Sequence, residues 1–179
     1  MKNLTKLTYV FAMIFVFSIS CEKEENNTNS LNNSIKYGGQ NYSISWCIME
    51  SPSSLDSGEG YRIDLFILSS GIQIDESSDS SFKGEGNGIE ITLFSNSDYI
   101  SDGDYNYTSE PDNLVGTCGY GSIILNANID TGTGEEINIS NGNLNVNKEG
   151  SQYIFNFEGK MANGESISFN YTGNIDLFQ

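Results

Sequence analysis

The sequence predicts an all-β domain: a single antiparallel β-sandwich of about eight to ten strands, with a calycin-like β-barrel as the alternative closure. Three observations carry this. Apolar and polar residues alternate in short runs, glycine recurs throughout (19 of 179 residues), and past residue 20 no stretch of ten residues repeats its apolar positions at helical spacing. Alternation with period two marks a strand with one buried face. Sandwich and barrel both bury one face of each strand and both use regular turns, so the pattern leaves the choice open.

The first element is "QNYSISWCIM" (40–49), in which Tyr42, Ile44, Trp46 and Ile48 alternate with Ser43, Ser45, Cys47 and Met49, placing Trp46 among the core residues. "GYRIDLFIL" (60–68) repeats the pattern through Tyr61, Ile63, Leu65 and Ile67, while Phe66 and Leu68 predict that its second half is covered on both sides. "GIEITLF" (88–94) contributes Ile89, Ile91 and Leu93. In the last third, "EEINIS", "GNLNVNK", "SQYIFNFEG" and "ESISFNYTGNI" alternate through Ile137, Ile139, Leu144, Val146, Tyr153, Phe155, Phe157, Ile167, Phe169 and Tyr171. "KEGS" (148–151) and "ANGE" (162–165) supply the Gly and Asn that tight hairpins require.

The N-terminus follows a different logic. After Lys2 and Lys6 comes an uncharged apolar run from Leu7 to Ile19. A membrane-spanning helix needs roughly 20 apolar residues, whereas a basic start and a shorter apolar run ending in small residues fit a secretory signal peptide. Apolar sequence then passes through Cys21 directly into Glu22, Glu24 and Glu25. This resembles a bacterial lipoprotein signal, with Ser18 where that signal usually carries Leu. The resemblance implies that residues 1–20 are removed and that Cys21 is lipidated and becomes the first mature residue. The acids after it look like the signal that sends Bacteroidota lipoproteins to the outer face of the outer membrane. An ordinary cleaved signal peptide is the alternative. Residues 21–34 then form a lipidated cysteine and a polar tether, "EKEENNTNSLNNS", too poor in apolar surface to fold. Its reach is about 20 Å as a flexible coil. The all-β domain occupies 35–179. The meander at 142–175 resembles the ending of small Bacteroidota surface lipoproteins, which implies the fold and the cell-surface address and no shared activity.

Charge and composition exclude several functions. The chain carries 24 acidic and 8 basic residues, a net charge of −16, and loss of Lys2 and Lys6 with the signal would take it to −18. A nucleic-acid binder needs a basic face, and an acidic surface repels anionic bilayers. The membrane partner is therefore expected through the lipid anchor alone. Histidine is absent, so Ser-His-Asp and Cys-His arrangements do not exist here. Arg62 is the sole arginine, and "GEGNG" (84–88) lacks the Lys-Ser/Thr of a phosphate-binding loop. No pair among the 24 acids stands out as a catalytic couple, and no enzyme activity is expected.

Three groups remain as candidate sites. With Cys21 lipidated, Cys47 and Cys118 are left in an oxidising compartment, as a disulfide or as two buried thiols acting as small apolar residues. In "SDYISDGDYNYTSEPD" (97–112), Asp98, Asp102, Asp104, Asn106 and Asp112 crowd one connection with oxygens at alternate positions. Such spacing would suit calcium, the one cofactor the sequence admits, although Asp and Asn also populate turns by bonding their own backbone. Tyr99, Tyr105, Tyr107 and Tyr120 are candidate ligand-binding aromatics, since sugars stack on exposed rings. The expected function is a non-enzymatic binding module for a glycan or other small ligand on the cell exterior. The alternative is an accessory interaction subunit of an outer-membrane assembly, docking through an exposed β edge.

Overall fold

The computed structural model describes residues 33–56, 58–75, 81–109 and 113–178. Cys21, the leader, most of the tether and Asp112 lie outside the described residues. Thirteen strands are found among those described: β1 (Ser34–Tyr37), β2 (Gln40–Ser43), β3 (Trp46–Glu50), β4 (Ser53–Ser54), β5 (Tyr61–Leu68), β6 (Ile72–Ile74), β7 (Phe82–Ser95), β8 (Gly103–Thr108), β9 (Thr117–Asn128), β10 (Thr133–Glu149), β11 (Gln152–Met161), β12 (Ser166–Gly173) and β13 (Ile175–Phe178). The excess over eight to ten consists of short pieces such as β4 and β6. No helix occurs among the described residues, and the all-β expectation holds.

The strands form one curled sheet, half a barrel in shape, with the order β13-β3-β5-β7-β9-β8-β10-β11-β12-β1-β2. Most pairings are antiparallel. Two are parallel, β13 with β3 and β8 with β9, so the sheet is mixed. The two ends of the order are linked by chain: two residues separate β2 from β3, and one residue, Asn174, separates β12 from β13.

The curl has a single main interior. Ile63, Leu65 and Ile67 of β5, Ile89, Ile91 and Leu93 of β7, and Phe155, Phe157, Phe169 and Tyr171 of β11 and β12 meet there, each at most 2 % exposed. Each buried aliphatic or aromatic side chain of this size contributes about 1.5–3 kcal/mol relative to exposure. The alternation read from the sequence is the pattern that packs this interior.

Outside the curl lies a second, smaller cluster of Ile48, Leu68 and Ile72, flanked by Trp46, Phe66 and Phe82. It explains why β5 is covered on both faces. Trp46 belongs here, half-buried, and its indole N–H donates to the Ser69 carbonyl at 3.1 Å. The break at Ile44–Ser45 shifts the alternation by one residue, so Ile44 and Cys47 face the main interior while Trp46 and Ile48 face outward.

The disulfide is not formed. Cys47 and Cys118 are both free and buried, on β3 and β9, which lie three ladder steps apart in the sheet order. Burial pushes the Cys118 thiol up to about 12 and raises Cys47 as well, with the Asp176 carboxylate adding to the latter. Both sulfurs therefore stay protonated and pack as small apolar groups. The Cys118 thiol donates weakly to the Tyr105 carbonyl at 3.4 Å.

Candidate functional site

The four candidate tyrosines separate into two pairs. Tyr105 and Tyr107 sit on β8 with their rings turned inward and are buried (4 % and 7 % exposed), while Tyr99 and Tyr120 are exposed (57 % and 51 %). The expectation that all four present ligand-binding faces is corrected for the buried pair: strand alternation on β8 sends residues 105 and 107 to the core.

The same alternation corrects the Asp-rich connection. Its second half is strand β8, so Asp104 and Asn106 project from the outer face of the sheet, about 7 Å apart along the strand. Asp104 accepts a hydrogen bond from Asn145 Nδ2 at 2.8 Å, and Asn106 Oδ1 accepts from Asn143 Nδ2 at 3.3 Å. The preceding residues form a turn held by its own hydroxyls: Ser95 Oγ donates to the Tyr99 carbonyl at 2.9 Å, and Ser101 Oγ donates to Asn96 Oδ1 at 3.2 Å. Asp98 and Asp102 are exposed on this turn. Calcium needs six to eight oxygens converging at 2.3–2.6 Å, and among the described residues no group of three or more acidic or thiol side chains gathers in that way.

One concave site lies where the sheet forks. The first part of β10, Glu135–Asn138, pairs with β9, and the later part, Asn141–Val146, pairs with β8. Between them β10 slips register against β11, from Ile139 to Asn141. Strand β9 is irregular at the same level: two steps of β7, Glu90 to Thr92, face three steps of β9, Ser122 to Gly119. The extra residue makes a β-bulge at Tyr120–Gly121, and Tyr120 adopts φ 47°, a left-handed conformation rare for a bulky side chain.

Neighbouring side chains hold the bulge. The Tyr107 hydroxyl accepts from the Gly121 N–H at 2.8 Å and donates to the Gly121 carbonyl at 3.3 Å, satisfying backbone groups the ladder leaves unpaired. A Cβ at position 121 would come within 2.9 Å of the Tyr107 ring, so glycine is required for this approach. Across the fork, Ser140 Oγ lies 3.1 Å from both the Lys160 and Met161 carbonyls.

The result is a cleft of about 470 Å³ lined by Glu90, Glu136, Tyr107, Tyr120, Ser122 and Asn138, among others. The bulge turns the Tyr120 ring outward. Its edge meets Phe94, centroids 6.4 Å apart at 66°, and the Arg62 guanidinium lies 5.4 Å from its centroid. Arg62 in turn donates through Nε to both Asp64 oxygens at 2.9–3.0 Å, and Thr92 Oγ1 donates to Asp64 Oδ1. Burial lifts the Glu90 carboxyl above the usual carboxylate range, the negative charges of Asp64, Glu136 and Glu50 add to the rise, and Arg62 opposes it.

Of the sequence candidates, this site brings together Tyr107, as support, and Tyr120, as the displayed ring. Glu90 and Glu136 were not singled out, because each occupies an ordinary outward polar position of an alternating strand. A readable signal did exist in "GYG" (119–121): two glycines around an aromatic inside an apolar run announce a bulge. No protein-family model matches the chain, and neither does any curated protein or any solved structure.

Proposed function

We propose that the chain is a lipid-anchored, non-enzymatic binding module of the outer membrane, facing the cell exterior, whose ligand site is the cleft at the β8–β9–β10 fork. The observation that carries this reading is Tyr120, half exposed on the rim of a polar cleft and held there by a left-handed bulge. Backbone strain of about 1–3 kcal/mol persists where surrounding structure enforces it, and such residues cluster at ligand sites. An aromatic face beside carboxylates, hydroxyls and an amide suits a small glycan: the ring stacks on the apolar side of a sugar while Glu90, Glu136 and Asn138 bond its hydroxyls. No catalytic step is part of this reading.

The test is calorimetric titration of the full chain with a panel of mono- and disaccharides, repeated with Tyr120→Ala. A ligand of this class should bind, and the variant should weaken it by about tenfold, equivalent to 1.4 kcal/mol. Equal affinity of the variant for every sugar bound would remove the cleft from consideration. The anchor rests on the resemblance of the leader to lipoprotein signals. Labelled palmitate should be incorporated by the natural sequence and not by Cys21→Ser, and equal labelling of the two would refute it.

A second reading, docking to an outer-membrane partner, is favoured by one observation. Strand β13 ends the sheet order and exposes Leu177 (50 %), as a strand that accepts a further strand would.

A further inference from the structure

Away from the cleft, the outer face of β8, β10, β11, β12, β1 and β2 carries two rows of polar side chains that run across the strands. The ladder registers place Asp104, Asn145, Asn156, Asn170, Ser34 and Ser43 opposite one another in succession, all open to solvent at least in part except Ser34, which is buried. The adjoining row on the same face runs through Asn106, Asn143, Glu158, Ser168, Lys36 and Asn41. Six of these twelve positions are asparagine, a residue that strands disfavour because its amide competes for backbone hydrogen bonds. Solubility alone would be served by Lys and Glu. Instead the first row holds a single charge, Asp104, on a chain of net charge −16.

The amides are oriented by one another. Asn145 Nδ2 donates to Asp104, Asn147 Nδ2 donates to Asn145 Oδ1 at 2.5 Å, and Ser34 Oγ donates to Asn170 Oδ1 at 3.3 Å. A side-chain amide has two donor hydrogens and two acceptor lone pairs, so the bonds that fix Asn145 leave it a further donor and acceptor. Over the second row lies a hollow of about 700 Å³, bordered by Lys36, Asn41, Glu158, Ser168 and the Gly38–Gly39 turn.

We propose that this face binds a neutral polysaccharide laid across the strands. Amide donors and acceptors repeat at the strand spacing, and a polyhydroxyl chain offers donors and acceptors all along its length. The net negative charge repels polyanions. The two rows hold no large apolar side chain, so they lack the aromatic anchors on which protein partners depend. Six strands are five spacings, about 24 Å, and affinity should therefore rise with oligosaccharide length up to that span and then level off. The inference is independent of the cleft.

The experiment is electrophoresis of the full chain through gels containing a mixed-linkage β-glucan, a galactomannan, an α-glucan or, as the polyanion, polygalacturonate. At least one neutral polymer should retard the protein and polygalacturonate should not. The double variant Asn145→Ala/Asn156→Ala should weaken retardation by about tenfold, as loss of two or three hydrogen bonds to ligand implies, and Tyr120→Ala reads the cleft separately. Circular dichroism establishes folding, and if the double variant unfolds, Asn156→Gln reads the same row. The proposal is overturned by no retardation in any neutral polymer, by equal retardation of the row variants, or by loss in Tyr120→Ala, which would assign the polymer to the cleft.

Discussion

Glu90 shows how one residue can cost stability where it lines a cleft. Its carboxyl is half-buried among Asp64, Glu136 and Glu50, with Arg62 opposing them. The folded chain therefore holds this proton to higher pH than the unfolded chain, whose glutamates titrate near about 4.3. The associated stability is fully present below that value and is lost as pH rises through the raised folded value. Glu90→Gln should raise the thermal midpoint at pH 7, with the gain disappearing near pH 4. Because water still reaches much of the group, the effect should not exceed about 0.5 kcal/mol. A variant no more stable than the natural chain at pH 7 would show that the carboxylates do not repel as their placement requires. None of this was legible in the sequence, where Glu90 is one outward acid among 24.

At the level of elements, β9 is the informative strand. It carries two bulges, each with a non-glycine residue at positive φ, Tyr120 at 47° and Asn126 at 49°. The first depends on the Tyr107 hydroxyl from β8. Tyr107→Phe removes that oxygen while keeping the ring, leaving the Gly121 N–H and carbonyl buried without their partner. We expect a loss of about 1–3 kcal/mol in denaturant unfolding, together with weaker ligand binding, because the Tyr120 platform is no longer fixed. Unchanged stability and unchanged binding would mean that the bulge stands by itself. Strands β5, β11 and β12 and the Ile89–Leu93 part of β7 were readable because apolar residues recur there at every second position. Strands β8 and β9 were not: Asp and Asn on the outer face of β8 imitate a loop, and the bulges of β9 break its period. β10 reads as two strands because its bulge at Ile139–Asn141 inverts the alternation halfway, and the chain in fact continues unbroken from Thr133 to Glu149.

For the whole described domain, the sequence contained the class and the interior but not the path. Burial of alternate residues is local information, and it located Ile63 to Ile67, Ile89 to Leu93 and the aromatic set of β11 and β12 correctly. Which strands become neighbours depends on loop closure and register across long separations, which no local pattern encodes. The same limit applies to the sites. Tyr120 could be named from its residue type, but the cleft arises from a fork between β8, β9 and β10, and the asparagine rows arise from registers across six strands. Where two cysteines invited a bridge, the sheet placed them on strands that are not neighbours, and each was absorbed into the packing.

One pairing bears on how such a chain reaches its final form. Ile175 to Phe178 lie in parallel beside Cys47 to Glu50, so one of the first strands to be made is completed by the last one described. A chain synthesised or threaded through a translocation pore from its N-terminus presents β3 long before β13 arrives. Throughout that interval the backbone groups of β3 have no partner on that side, and local contacts cannot substitute for the missing strand. The domain thus remains incomplete, and open to a holding chaperone, until nearly its whole length has emerged.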